Sequence, residues 1–244
     1  MELVADLHVH TVSSGHAFST VDEIARVAAE KGLKLVAITD HGPALPGGAH
    51  PYHFWNLRVL PKEIHGVRIL RGAEANIVDP QGGLDLPDDL LETLDIVLVG
   101  FHPRCGYEGE TKEKNTRALI GAIKNPLVNA IVHPGNPLFP IEVESVVEAA
   151  KEHGVLLEIN NSSFLTTTSR TGSYECDLPI AIVACEQGLD VIISSDAHFA
   201  SGVGEFGEAI RLAEEVGFTE ERILNTSVER VFKFLSEKKG REFE

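Results

Sequence analysis

Residues 2–10 read ELVADLHVH, an apolar run that stops on two histidines spaced two apart. On an extended strand, residues two apart project to the same face, so His8 and His10 can grip one ion together. The pattern recurs along the chain in LKLVAITDH (33–41), VRILRGAEAN (67–76), LDIVLVGFH (94–102), NAIVHPG (129–135), VLLEINN (155–161) and DVIISSDAH (190–198). Most of these seven runs are nearly continuous in Val, Ile and Leu, as strands buried on both faces should be.

Helical patterns separate the runs, clearest at residues 20–31, 114–124, 142–153, 178–187 and 208–216, with a last helix near 227–238. Gly32, Gly154, Gly188 and Gly217 supply the stop signal expected just past a helix end. Strands alternating with helices predict βα units around a parallel sheet, and 244 residues suit one α/β barrel. The expected organisation is a single domain over 1–244, with the charged tail EKKGREFE too poor in apolar surface to stand alone.

Composition narrows the function. Hydrophobic residues at 43% and aromatics at 6% fit a globular protein with a full core. The net charge of -16, from 37 acidic against 21 basic side chains, should repel a nucleic-acid backbone. No apolar stretch is long enough to span a membrane, and MELVADLHVHT has neither the basic flank nor the cleavage site of a signal peptide. A cytoplasmic location is therefore expected. Cys105, Cys176 and Cys185 are odd in number and lack C-x-x-C spacing, which argues against a disulfide framework and against thiolate zinc.

Chemistry concentrates at the strand ends. Five of the seven runs end in or just before a histidine, Glu74 closes the third run and Asp196 precedes His198 in the seventh. His16 follows the first run after a short loop; His41, His102 and His133 end the second, fourth and fifth. Only the sixth run, ending Asn160-Asn161, lacks a metal-type side chain. One strand-end histidine is ordinarily a loop residue; imidazoles and acids marking the same end of nearly every strand, where parallel barrels carry active sites, need a common cause. Nine donors (His8, His10, His16, His41, Glu74, His102, His133, Asp196, His198) exceed one ion's needs, since a catalytic zinc takes about three protein ligands and keeps a position for water. Two or three ions are implied.

Other histidines read differently. His65 and His153 each precede a Gly at an apparent helix end, where a cation suits the dipole. His50 and His53 lie in the first of three long loops, 42–55, 103–113 and 162–177, and could touch substrate or solvent. Asp40 could orient a neighbouring imidazole or point away from it.

The segments D-L-H-V-H-T, T-D-H, G-x-E, G-F-H, V-H-P and S-D-A-H, in this order, resemble the PHP (polymerase and histidinol phosphatase) superfamily. V-H-P-G-N-P, E-I-N-N-S-S-F and G-E-F-x-E are more specifically similar to its YcdX-type phosphatases. The resemblance spans the chain. It implies the PHP fold, a distorted seven-stranded (β/α)7 TIM-like barrel, with three divalent ions, zinc expected and manganese or iron as alternatives. Carried over residue by residue, His8, His10 and Asp196 hold one ion. Glu74 bridges it to a second held by His102 and His133, and His16, His41 and His198 hold the third. Glu74, Asp196 and His198 are then the expected catalytic residues.

The expected activity is phosphomonoester hydrolysis of a small phosphorylated substrate, with metal-activated water as nucleophile. Arg104, Arg170 and His53 are candidate substrate contacts, with Arg58 as a more distant cation. Phosphodiester or amide hydrolysis on the same barrel is the alternative, and a non-catalytic metal-binding protein is disfavoured because so many donors converge. The substrate, the leaving-group acid and the oligomeric state stay open.

Overall fold

In a computed structural model, which describes residues 1–243, the apolar runs become strands and the periodic segments become helices. Glu244, the last residue of the charged tail, lies outside that range. The strands are β1 (Ala5–Val9), β2 (Leu35–Ile38), β4 (Val67–Asn76), β5 (Ile96–Gly100), β6 (Ala130–Ile131), β7 (Leu156–Asn160) and β8 (Val191–Ser194), with a short β3 (Glu63–Ile64) beside them. The main helices are α1 (Val21–Glu30), α2 (Pro51–Asn56), α3 (Asp88–Leu91), α4 (Lys112–Ile123), α5 (Val143–His153), α6 (Ser173–Glu186), α7 (Gly207–Val216) and α8 (Val228–Lys239). Seven parallel strands in the order β1-β2-β4-β5-β6-β7-β8 form a nearly closed barrel, with helices alternating outside.

The alternation of side chains along each strand divides the core in two. Val36, Val97, Ile131, Leu157 and Ile193 face the helices. Ala37, Leu98, Ala130, Leu156 and Ile192 fill the interior, where Val231 and Leu235 of α8 join them and close the floor. A helix adjoining the charged tail thus plugs the barrel. The opposite end, where the strands finish, is left for polar side chains.

The β1–β8 seam carries little regular pairing. Near the top a single parallel bridge joins Val9 to Ala197, with the His10 N–H donating to the Ala197 carbonyl at 2.9 Å. Lower down, Asn225 fills the gap: its amide donates to the carbonyls of Ala5 (2.8 Å) and Ile193 (2.7 Å) and accepts the Ile193 N–H (3.1 Å).

Some expectations change. β3 pairs antiparallel with β4, and the tight turn between them holds His65 and Gly66, both at positive φ. His65 is therefore a hairpin residue bonded to Asp22 at 2.9 Å, where a helix end was expected. His153 does end α5, with Gly154 left-handed at the cap. α6 begins at Ser173, five residues before the expected Leu178, so Pro179 lies inside the helix. By itself, Pro179 fits the first turn of a helix better than its interior. The first long loop also contains α2, whose N-cap is His50, its ring accepting from the Tyr52 N–H. Among the described residues no helix is long and apolar enough to cross a membrane.

Candidate metal centre

Glu74, the eighth residue of β4 and wholly buried, sits at the focus of the strand ends. Its Oε2 lies 3.2 Å from His8 Nε2, 3.4 Å from His10 Nε2 and 2.8 Å from His41 Nδ1. Its Oε1 lies 3.0 Å from His102 Nε2 and 2.7 Å from His133 Nε2. One carboxylate thus addresses two groups of imidazoles with separate oxygens. Asp196 Oδ1 approaches His10 Nε2 at 3.1 Å and His8 Nε2 at 3.6 Å. His16 and His198 face each other, Nε2 to Nε2, at 2.9 Å, and the His16 ring stacks on His41 with centroids 5.1 Å apart. All nine expected donors meet in one patch.

Three triads within it have donor atoms close enough to share an ion: His8 with His10 and Glu74, His41 with Glu74 and His102, and His10 with His41 and His198. Glu74, His10 and His41 each serve twice, so the donors form one continuous surface.

Neighbouring groups aim the rings. His8 Nδ1 lies 2.8 Å from Glu158 Oε1, His10 Nδ1 3.2 Å from Ser14 Oγ, His16 Nδ1 3.0 Å from the Ser14 carbonyl and His198 Nδ1 3.0 Å from the Asp196 carbonyl. A ring nitrogen bonded outward leaves the other free to face a ligand. Asp40, whose direction was open in the sequence, points inward: it accepts from the Ser14 hydroxyl at 2.7 Å and from the Thr11 N–H at 2.7 Å, and so supports His10 through Ser14.

Several inward atoms, including His8 Nε2, His10 Nε2, His41 Nδ1, His102 Nε2 and Glu74 Oε2, are buried with no well-directed hydrogen bond. Each buried polar atom left unpaired costs about 1–3 kcal/mol. A run of them facing one another fits coordinated cations, which satisfy every lone pair at once. The donors are imidazole and carboxylate without thiolate, a set that suits zinc, manganese or iron. Backbone strain points to the same place: of four non-glycine residues with positive φ, His133 (35°), Asp196 (53°) and Arg104 (67°) belong to the site or its rim.

The charges are strongly coupled. Burial alone would raise the Glu74 carboxyl, but His41, His102 and His8 around it hold it well below its ordinary range. Asp196 is likewise held low against burial, by His8 and Arg170. Burial, then His41 and His198, push His10 well down, whereas Glu158, Glu74 and Asp196 overcome burial at His8 and hold it well up.

A cavity of about 600 Å³ opens over the cluster, lined by Leu45, Pro46 and Leu138 and by Thr168 and Arg170 of the third long loop. The Arg170 side chain is 14% exposed, and its Nη2 lies 2.6 Å from Asp196 Oδ2. Arg104 lines the same cavity. His53 does not. It lies 3.1 Å from Asp40 Oδ2 and borders a separate groove beside Val12 and Leu60, so its position fits a buttress for Asp40 better than a substrate contact. Arg58 is farther off, next to Phe54 and Arg71.

The main residue missed was Glu158. The sixth run was expected to carry no metal-type side chain because its terminal pair is Asn160-Asn161, yet Glu158 is buried two residues earlier on the same face. Its signal was an acid inside the otherwise apolar LLEIN, a residue type almost never fully buried without a partner.

The sequence profile of the PHP domain matches residues 6–169. A protein of Caldanaerobacter subterraneus subsp. tengcongensis named "Probable phosphatase" is 54% identical over 241 residues, covering 99% of this chain and 94% of that protein. Another of that name, from Acetivibrio thermocellus, is 48% identical over 99% of this chain and 98% of its own length. Among solved structures, histidinol phosphate phosphatase of Lactococcus lactis, complexed with zinc, L-histidinol and phosphate, superposes with a TM-score of 0.63 at 16% identity, covering 88% of this chain and 94% of that one. A chain of archaeal ribonuclease P with mature tRNA superposes at 0.61 and 12% identity, covering 95% and 90%. At such identities the likeness is one of fold, which by itself hosts unrelated functions.

Proposed function

The chain belongs to the PHP domain family, and on that premise we propose that it is a metal-dependent phosphatase acting on small phosphomonoesters. The observation that carries this reading is the set of buried, unpaired imidazole and carboxylate atoms turned toward one another beneath an open cavity. In this reading His8, His10 and Asp196 would hold one divalent ion, Glu74 would be shared between it and a second held by His102 and His133, and His16, His41 and His198 would hold a third. Zinc is the expected metal. Bound ions supply Lewis acidity, neutralising charge on phosphoryl oxygens and making water acidic enough to ionise near neutral pH.

The chain's own groups do the rest. Arg170, anchored on Asp196 and on Ser162 Oγ at 3.2 Å, presents a fixed guanidinium to the phosphoryl oxygens, and Arg104 adds a second cation at the rim. Fixed donors of this kind stabilise the charge redistributed over the phosphoryl and leaving oxygens in the transition state without reorganising. Leu45, Pro46 and Leu138 give the leaving group an apolar wall and limit water beside it. No serine or cysteine nucleophile is required.

The test is elemental analysis of protein purified without added metal, followed by turnover of a phosphomonoester, a phosphodiester and an amide on one fully metallated sample. Monoester turnover well above the other two is expected. Metallated protein inert toward a broad monoester panel defeats the proposal.

A further inference from the structure

Among the described residues, Glu158 is the buried acid that bonds both a ring nitrogen and a backbone N–H of the expected donors. Its Oε1 lies 2.8 Å from His8 Nδ1. Its Oε2 accepts the backbone N–H of His133 at 2.8 Å and the Asn160 side-chain amide at 2.9 Å. The carboxylate therefore links a donor on β1 to one just past β6, across 150 and 25 residues of sequence respectively. Because it only accepts, the ring nitrogen beside it must carry a hydrogen, so in the neutral ring that a metal ion requires, His8 Nε2 is the lone pair toward Glu74 and Asp196.

We propose that Glu158 is a positioning residue: it fixes His8 in the Nδ1–H form and, through the His133 N–H, sets the spacing between the first two ion positions. This rests on the proposed function, in which His8 and His133 hold metal.

A side-chain amide at this position should be worse than no side chain at all. In Glu158→Gln, two donors, His133 N–H and Asn160 Nδ2, converge where the oxygen must stay, since turning the amide over would leave donors facing donors in a buried site. The NH2 then faces His8 Nδ1 and donates to it, driving the ring to the Nε2–H form with a hydrogen aimed at the ion. In Glu158→Ala, water can take the acceptor role and His8 keeps the productive form. Packing ranks the variants the other way, because the near-isosteric Gln leaves no cavity.

The experiment measures, for wild type, E158Q and E158A, the affinity of each ion by chelator competition and the unfolding free energy by urea. Nitrogen-15 histidine spectra of the zinc-loaded wild type report which His8 nitrogen carries hydrogen. The expected result is an Nδ1–H in the wild type and one ion held about 10–100-fold more weakly in E158Q. E158A should lose less affinity than E158Q while losing more folding stability. The proposal is overturned if the two variants rank alike in metal affinity and in stability, if E158Q holds every ion as tightly as wild type, or if His8 Nδ1 bears no hydrogen. A wild type that holds no divalent ion would remove the proposed function as well.

Discussion

In the proposed grouping of donors, Glu74 and His16 separate the ion positions. In Glu74 both carboxylate oxygens face imidazoles, Oε2 toward His8, His10 and His41 and Oε1 toward His102 and His133, so Glu74→Gln should disturb two ions together. His16 touches only the His41 and His198 side of the patch, and His16→Ala should empty mainly the third position. Elemental analysis of the two variants checks both outcomes, and loss of a single ion from the Glu74 variant argues against a bridge. Asp177 makes a different prediction. Its Oδ1 accepts the Gly135 N–H at 2.9 Å, its Oδ2 is buried without a partner, and burial pushes the acid up to about 8 from 3.8. A folded-state value above the unfolded one means stability present at low pH and lost as the pH rises from about 4 to about 8, at no more than about 1.4 kcal/mol per pH unit. Asp177→Asn cannot ionise, so at fixed metal content its stability relative to wild type should climb between pH 5 and 8 in urea titrations. A constant difference across that range counts against the assignment.

At the scale of elements, the strand ends work as a jig. Gly100 closes β5 directly under His133, and a Cβ added there would lie 2.6 Å from His133 Cε1 and 3.0 Å from Val132 Cγ2. His133 has little room to retreat, because its ring is held by Glu74 and its N–H by the Glu158 acceptor. Gly100→Ala should therefore cost about 1–3 kcal/mol in urea unfolding, the usual range for overpacking. It should also weaken the ion at Glu74, His102 and His133 while leaving the third position in place, as metal analysis would show. The strands themselves were legible, because runs such as IVLVG are apolar on both faces and end on donors. β3 was not, since two residues carry no periodicity. The upstream turn of α6 was hidden by Pro179, which reads as a first-turn residue, and α2 by the Pro and Gly around it in the first long loop.

For the molecule as a whole, barrel closure is the delicate step. Among the described residues, β1 and β8 meet through one backbone bridge, through the Ser195 N–H donating to Asp6, and through Asn225, whose amide spans the carbonyls of Ala5 and Ile193. Removing it leaves two carbonyls and the Ile193 N–H unpaired in a dry seam. Asn225→Ala should destabilise the fold by about 3 kcal/mol, measured as a lower urea midpoint with unchanged slope. A loss under about 0.5 kcal/mol, the size of a surface substitution, would mean the seam closes without it. Bound ions would act on the same scale: a ligand that binds only the folded state stabilises it by mass action, so chelation should lower the melting temperature.

The sequence by itself determined the fold class and the inventory of candidate donors. Apolar runs alternating with helical periods predict a parallel sheet flanked by helices, family likeness makes that sheet a barrel, and polar metal-type residues closing the runs gather at the end where its strands finish. Family likeness supplied the grouping of donors into ion positions. Only the tertiary structure decided what surrounds them: that Asp40 supports His10 through Ser14, that His53 backs Asp40 and leaves the cavity, that Arg170 reaches Asp196, and that Glu158 holds His8 from 150 residues away. The physical reason is range. Periodicity and strand-end chemistry are local properties of the chain, whereas the direction of a hydrogen bond between distant strands exists only once the barrel has closed.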